Sequence, residues 1–297
     1  MMSKPRQLIA AVDMGSSSFR MIVARVEELN GQSQIYIIDT LREPVRLGAG
    51  LTADKRLDDA SQERGLNALS RFGERLRSFK PGEVRAVATN AVRVARNASE
   101  FIAKAEAALG FPIDVISGVE EARLVYCGVA HQLPIGQGRR LVVDIGGGST
   151  EFIIGEDYEP EAMESLYIGC VSTAQQYFAD GSINPRAMKN AIMAARKEVA
   201  VLRRQILDMG WTHAIGSSGT ARALAEICIS NGFTEHGMSA EGLRLIREHV
   251  CAAGHLDHVT LNGLKADRLP MMPGGLAVMS AVFEELEIEQ MEVTDGA

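Results

Sequence analysis

The strongest constraint on how this chain folds is an internal repeat. Ala10-Ala-Val-Asp13-Met-Gly-Ser-Ser-Ser-Phe-Arg20-Met-Ile-Val can be laid on Val142-Val-Asp144-Ile-Gly-Gly-Gly-Ser-Thr-Glu151-Phe-Ile-Ile. Each copy reads as an apolar strand, then Asp-x-Gly, two small residues and a Ser, then a second apolar strand. The copies lie about one domain's length apart, and 297 residues suffice for two domains with separate cores. Two homologous halves facing each other across a cleft would bring both turns to one ligand.

The rest of the chain alternates strands and helices, which makes the fold class α/β. Leu8–Val12, Phe19–Val26 and Ile35–Asp39 are β-branched-rich strand candidates. Leu66, Leu69, Phe72, Leu76 and Phe79 recur at helical spacing and predict an amphipathic helix over 60–79. Val84–Ala88 reads as a strand, and Asn97-x-x-Glu100 as a capping box opening a helix that Gly110 closes. Ile113–Ile116 is a further strand, followed by a helix from Glu120 to His131. Leu141–Val143 and Phe152–Gly155 bracket the second Gly-rich turn. Asn184-Pro185 starts a long helix ending at Gly210, and Ala214–Ile215 leads into Gly216-Ser-Ser-Gly219 and another helix. Ser239 caps a helix, and Leu276–Glu285 predicts a last, buried one. The domain boundary is placed near residue 122, giving domains 1–122 and 123–297.

A turn of Gly and Ser lets consecutive N–H groups converge on one concavity, because no side chain blocks approach. One isolated D-x-G-x-x-S is an ordinary hairpin turn; two matched copies point to phosphate. There is no G-x-x-x-x-G-K-[ST], so this is not a P-loop. Gly146–Gly148 is followed by a strand rather than a helix, so it is not a dinucleotide fingerprint either. A hairpin phosphate clamp remains. Arg20 in the first copy takes the place of Glu151 in the second. Arg pairs bidentately with phosphate oxygens. Asp144 and Glu151 flank one turn and suit a Mg²⁺ that keeps most of its waters. A surface ion pair is the plainer alternative for Arg20 and Glu151. Glu120 and Glu121, in the first turn of a helix, are equal candidates for a general base and equally ordinary as dipole-stabilising acids.

Composition narrows the partners. The net charge is −7, with the acidic excess falling wholly after residue 122. An anionic substrate must therefore be held locally, by Arg, backbone amides or a metal. Aromatics make up 5% of the chain, which argues against a nucleic-acid stacking platform. Cys127, Cys170, Cys228 and Cys251 are widely spaced and read as free thiols of a reducing compartment. No signal-peptide pattern and no membrane-length apolar run occurs, so a cytoplasmic protein with no membrane partner is expected. His255-x-x-His258 lacks a third ligand, and Arg203-Arg204 reads as a solvated face.

Taken together, these residues resemble the exopolyphosphatase/guanosine pentaphosphate phosphohydrolase family, within the actin, sugar-kinase and heat-shock ATPase superfamily. The resemblance rests on 11–20, Ala88-Thr-Asn-Ala-Val-Arg93, Ile116-Ser-Gly-Val-Glu-Glu-Ala-Arg-Leu124 and 143–151. It continues through Ile168-Gly-Cys-Val-Ser172, Ile215-Gly-Ser-Ser-Gly-Thr220 and Pro273-Gly-Gly-Leu-Ala277. It implies two actin-like (ribonuclease-H-like) domains flanking a cleft. Glu121 is then the catalytic base, Asp144, Glu151 and Asp13 the metal-linked acids, and Mg²⁺ or another divalent cation the cofactor. Gly15, Ser16, Ser17, Ser18, Arg20, Arg93, Gly146, Gly147, Gly148 and Ser149 would bind phosphate. Gly216, Ser217, Ser218 and Gly219 are similar to the superfamily's nucleotide-side loop. The implied substrate is inorganic polyphosphate or guanosine pentaphosphate, and a homodimer fits the family. A superfamily kinase and a nucleotide-gated binding module are the competing classes.

Two departures stand out. Ser17 occupies a place that is usually Asn in the family. Family members also continue past Asp295-Gly-Ala297 into a further helix, so the chain reads as a catalytic core without the C-terminal helical domain of long members.

Overall fold

The computed structural model describes residues 7–29 and 32–294. They form two compact units, Met1–Ser117 and Gly118–Ala297. The division falls ahead of residue 122, so the helix that carries Glu120 and Glu121 lies within the second unit.

In the first unit, β1 (Gln7–Met14), β2 (Phe19–Leu29) and β3 (Gln32–Glu43) form an antiparallel meander. β4 (Val84–Ala88) and β5 (Asp114–Val115) add in parallel on the far side of β1. The strand order is therefore β3-β2-β1-β4-β5. Helix α1 (Asp59–Leu76) follows β3; α2 (Asn90–Arg93) and α3 (Ala98–Leu109) follow β4. Along β1 exposed residues such as Ala11 and Asp13 alternate with buried Ala10, Val12 and Met14, the mark of a sheet packed on one face. That face meets Leu69, Phe72 and Leu76 of α1 and Phe101 and Leu109 of α3.

The second unit repeats the plan. β6 (Arg139–Ile145), β7 (Thr150–Glu156) and β8 (Glu159–Leu166) form the meander. β9 (His213–Gly216) pairs in parallel with β6, and β11 (Gln290–Val293) with β9. β10 (Met238–Ser239) closes the edge, giving the order β10-β11-β9-β6-β7-β8. Each unit thus carries the five-strand ribonuclease-H-like, or actin-like, topology; the sequence repeat is also a topological one. Helix α4 (Gly118–Ala130) covers one face with Ala122, Tyr126 and Val129 against Val142, Ile153 and Ile215. On the other face lie α5 (Cys170–Tyr177), α6 (Pro185–Met209), α7 (Gly219–Ser230), α8 (Ala240–Ala253) and α9 (Met272–Leu286). With both faces covered, β7 is buried from Thr150 to Gly155 rather than alternating.

Helix α9 is buried nearly all round, as its apolar sequence predicts. Its two glycines allow this: a Cβ on Gly274 would run into the Cys170 carbonyl, and one on Gly275 into Thr220. Asn184 and Ser239 cap α6 and α8 by accepting from Ala187 and Gly242 N–H. The capping box at Asn97 is a correction. Its side chain makes no cap bond; it instead accepts from Leu57 N–H at 2.9 Å and donates to Leu57 C=O at 3.0 Å. A strand-like backbone partner has displaced the helix end as the better use of that amide. Among the described residues no helix is long and apolar enough to cross a membrane.

Candidate active site

The turn between β6 and β7 is closed by Gly146 N–H donating to Ser149 C=O at 2.9 Å. Behind it stands the first turn of α5, whose initial N–H groups have no partner inside their own helix. Cys170 N–H donates to Gly146 C=O at 2.9 Å; Val171 and Ser172 N–H donate to Gly147 C=O at 2.9 and 3.1 Å. In a trans peptide the C=O and the following N–H point in opposite directions, and no peptide here is cis. The N–H groups of Gly147 and Gly148 are therefore aimed away from α5, and among the described residues neither has a hydrogen-bond partner. The loop is a preformed pair of anion donors. It depends on Gly169: a Cβ there would lie 2.5 Å from the carbonyl carbon of Gly147.

The first unit builds its turn by the same device. Arg46 N–H donates to Ser17 C=O and Gly48 N–H to Ser16 C=O, each at 2.8 Å. A 3₁₀ turn at Leu47–Gly50 thus takes the part that α5 plays in the second unit. Ser16 is buried, its hydroxyl accepting from Ala91 N–H; Ser18 accepts from Arg42 Nε.

The strand register explains the acids. Asp13 lies opposite Arg20, and Asp144 opposite Glu151, so the aligned positions of the repeat are also cross-strand partners. Glu151 further faces Ser165 on β8, and Val143 pairs with Gly216, which sets Ser217 beside Asp144. Ser217, just past the end of β9, forms one row with Asp144, Glu151 and Ser165 on the three strands beside it. Because side chains alternate along a strand, the row shares the sheet face on which Val142 and Ile153 meet α4. The outer hydroxyls donate inward: Ser217 Oγ to Asp144 Oδ2 at 2.7 Å and Ser165 Oγ to Glu151 Oε1 at 2.8 Å.

Electrostatics distinguishes the two candidate bases. Glu120 is locked to Arg123 by hydrogen bonds of 2.7 and 2.8 Å, which holds its carboxyl below the usual range. The Glu121 charge instead acts on the acidic row. Burial pushes the Glu151 carboxyl well above its ordinary range, and the charges of Glu121 and Asp144 push it further; the Ser165 and Ser149 hydroxyls partly offset this. Asp144 is also raised by desolvation, against the pull of the Ser217 hydroxyl and the Arg222 charge.

The remaining predicted residues fall elsewhere. Asp13 is exposed and Arg20 half-buried, both in the first unit. Arg93, at the end of α2, donates to Ile116 C=O at 2.8 Å, so part of its guanidinium braces the chain ahead of α4. In the 216–219 loop, Ser217 serves Asp144 and Ser218 caps α7 through Ala221 N–H. The Arg268 guanidinium occupies the space a Cβ on Gly219 would need. Ser165 and Arg222 belong to this neighbourhood and are missed by sequence reasoning.

Two ribonuclease-H-like units, each with a hairpin turn braced from behind by a following segment, define a two-domain protein of the actin-like fold. Comparison with known proteins agrees: the model of the Ppx/GppA phosphatase family matches residues 22–297, and the chain belongs to that family. A putative exopolyphosphatase of Haemophilus influenzae is 41% identical over 97% of the chain and 88% of the relative. The guanosine-5'-triphosphate,3'-diphosphate pyrophosphatase of Vibrio cholerae is 42% identical over 98% of the chain, which spans 57% of that relative's length. Among solved structures, the Aquifex aeolicus PPX-GPPA enzyme superposes with a TM-score of 0.76 at 25% identity, covering 99% of this chain and 97% of the other. An exopolyphosphatase from Cytophaga hutchinsonii shares the fold with a TM-score of 0.81 at 24% identity, covering 97% of this chain and 94% of the other.

Proposed function

We propose that the chain is an exopolyphosphatase, releasing the terminal orthophosphate of inorganic polyphosphate by in-line attack of water. The observation that supports this most directly is the pair of outward-facing N–H groups at Gly147 and Gly148, in a unit whose acidic row feels the Glu121 charge. Phosphoryl transfer passes through a loose transition state, so positioning and neutralisation of charge supply most of the rate. The Gly147 and Gly148 amides hold oxygens of the terminal phosphate. Glu121 accepts a proton from water as its oxygen bonds to phosphorus and the P–O anhydride bond to the rest of the chain breaks. Such a base contributes about 10²–10⁴-fold. In the first unit, Gly15 to Ser18 hold phosphate through the same peptide arrangement, and Arg20 and Arg93 contribute charge.

The acidic row fits a hard divalent cation. Glu151 is buried with two other carboxylates as neighbours, an arrangement that a cation would relieve. Its donors are all oxygen. Among the described residues no group of three or more His, Cys, Asp or Glu could hold a metal. The paired carboxylates Asp144 and Glu151 suit Mg²⁺, which uses one or two carboxylates and fills its shell with water and substrate phosphate. Asp144 and Glu151 are the proposed ligands, and Mg²⁺ would neutralise phosphate charge there.

A second reading, removal of the 5′-terminal phosphate of guanosine pentaphosphate, uses the same groups. The 42% identity to a guanosine-5'-triphosphate,3'-diphosphate pyrophosphatase favours it. Orthophosphate release with Mg²⁺ from long-chain polyphosphate, tripolyphosphate, guanosine pentaphosphate and ATP, assayed side by side, separates the two. Release from polyphosphate with ATP untouched supports the first reading; release from guanosine pentaphosphate alone moves the assignment to the second. Release from ATP alone contradicts both.

A further inference from the structure

We propose that Ser165 is a positioning residue for the acidic row, fixing the Glu151 carboxylate toward the divalent cation; this rests on the phosphohydrolase reading above. Three observations carry it. Ser165 lies directly opposite Glu151 in the β7–β8 register and donates to Oε1 at 2.8 Å. Glu151 is buried, whereas Ser165 is half-buried, so the hydroxyl reaches inward from the rim. The backbone of Ser165 is itself anchored, because Met163 packs toward α4 on one face of the sheet and Leu166 into the main core on the other.

The physical need for such a donor follows from the neighbours. Glu121 and Asp144 both repel the charge on Glu151. A glutamate has three side-chain torsions, and a repelled carboxylate turns away unless something holds it. Partners of this kind orient the groups that bind a metal, and their loss weakens affinity or activity by about 10–100-fold. Ser217 stands in the corresponding place for Asp144, at the other end of the row.

The experiment compares wild type, Ser165→Ala and Ser165→Thr as full chains. It measures direct Mn²⁺ binding by electron paramagnetic resonance, the Mg²⁺ dependence of orthophosphate release, and the thermal midpoint. The expected result is a loss of about tenfold or more in Mn²⁺ affinity for Ser165→Ala. A matching rise in the Mg²⁺ needed for half-maximal rate should accompany it, with the Thr variant restored toward wild type. A purely structural serine would lower the thermal midpoint and leave both metal readouts in place, and that outcome overturns the proposal. An active wild type with an unaffected Ser165→Ala also removes this proposal alone. A wild type that neither binds Mn²⁺ nor releases phosphate removes the functional reading, and this one with it.

Discussion

The two hairpin turns share one design and differ in what surrounds it. In both, the carbonyls of the turn are drawn backward by N–H groups of a following segment, so the intervening N–H groups face forward. In the first unit the backing segment is a short 3₁₀ turn, the sheet is packed on one face, and Asp13 is exposed opposite Arg20. In the second it is the first turn of a helix, both sheet faces are covered, and Glu151 is buried opposite Asp144. The same backbone cradle is thus paired with a cation in one copy and with a carboxylate in the other. The repeat supplies two turns of one backbone design, set apart by burial and by the change at one cross-strand position.

The largest expected effect tests where that chemistry sits. Glu121→Gln should lower turnover about 10²–10⁴-fold while polyphosphate still binds. Glu120→Gln, which loosens the Arg123 pair, should stay near the wild-type rate. Steady-state phosphate release by the two variants reads this directly, and a reversed order would move the base to Glu120.

Next is the backing of each loop. Gly169→Ala forces a Cβ to within 2.5 Å of the Gly147 backbone; Gly48→Ala places one 3.0 Å from the Ser16 side chain. The Gly48 contact is the looser of the two. Gly169→Ala should cost about 1–3 kcal/mol in stability, and displacement of the loop should lower turnover by up to about 10². Gly48→Ala should do less on both counts. Denaturant unfolding and turnover measured together would show whether the second loop is the more exacting.

Much of this was legible in the sequence, for reasons visible at particular residues. The repeat was readable because Asp-x-Gly and the small residues after it serve the backbone, which tolerates few substitutes. The helices with clear periods or caps, such as those starting after Asn184 and Ser239, were equally plain. β8 was not, because Glu159-Pro-Glu-Ala-Met-Glu-Ser-Leu166 is rich in acids and poor in β-formers. Ser165 was lost with it. α5 is eight residues long and includes Val, Ser and Thr, so its role behind the Gly-rich turn left no periodic trace. The one available signal was the small-residue run at Gly169, which marks a close backbone approach. Asn97 misled because an Asn before a Glu three residues later is a cap by local rules, and the Leu57 backbone outcompeted the helix end.

That last contact yields a smaller prediction within the first unit. Asn97→Ala leaves the Leu57 N–H without its partner, while the Leu57 carbonyl keeps the Gln62 amide, and should destabilise by about 1–3 kcal/mol, leaving turnover per folded molecule unchanged. Thermal unfolding alongside active-site-normalised rates checks it. The mildest test concerns the thiols of the second unit. Burial pushes Cys228 up to about 11 and also raises Cys170, so their thiolates are scarce at neutral pH. Exposed Cys127 should react first with a thiol reagent near pH 8. Cys228 should become reactive only as pH climbs toward its raised value. Mass-spectrometric mapping of the modified thiols gives the order.

On the proposed function, the Gly147 and Gly148 amides receive the terminal phosphate. The most direct measurement is a titration of ¹⁵N-labelled protein with orthophosphate in the presence of Mg²⁺, following the backbone amide resonances of both halves. Gly147 and Gly148 should shift together and saturably, among the largest changes in the second unit. If orthophosphate binds and those two resonances stay in place while others move, the cradle is not where phosphate sits.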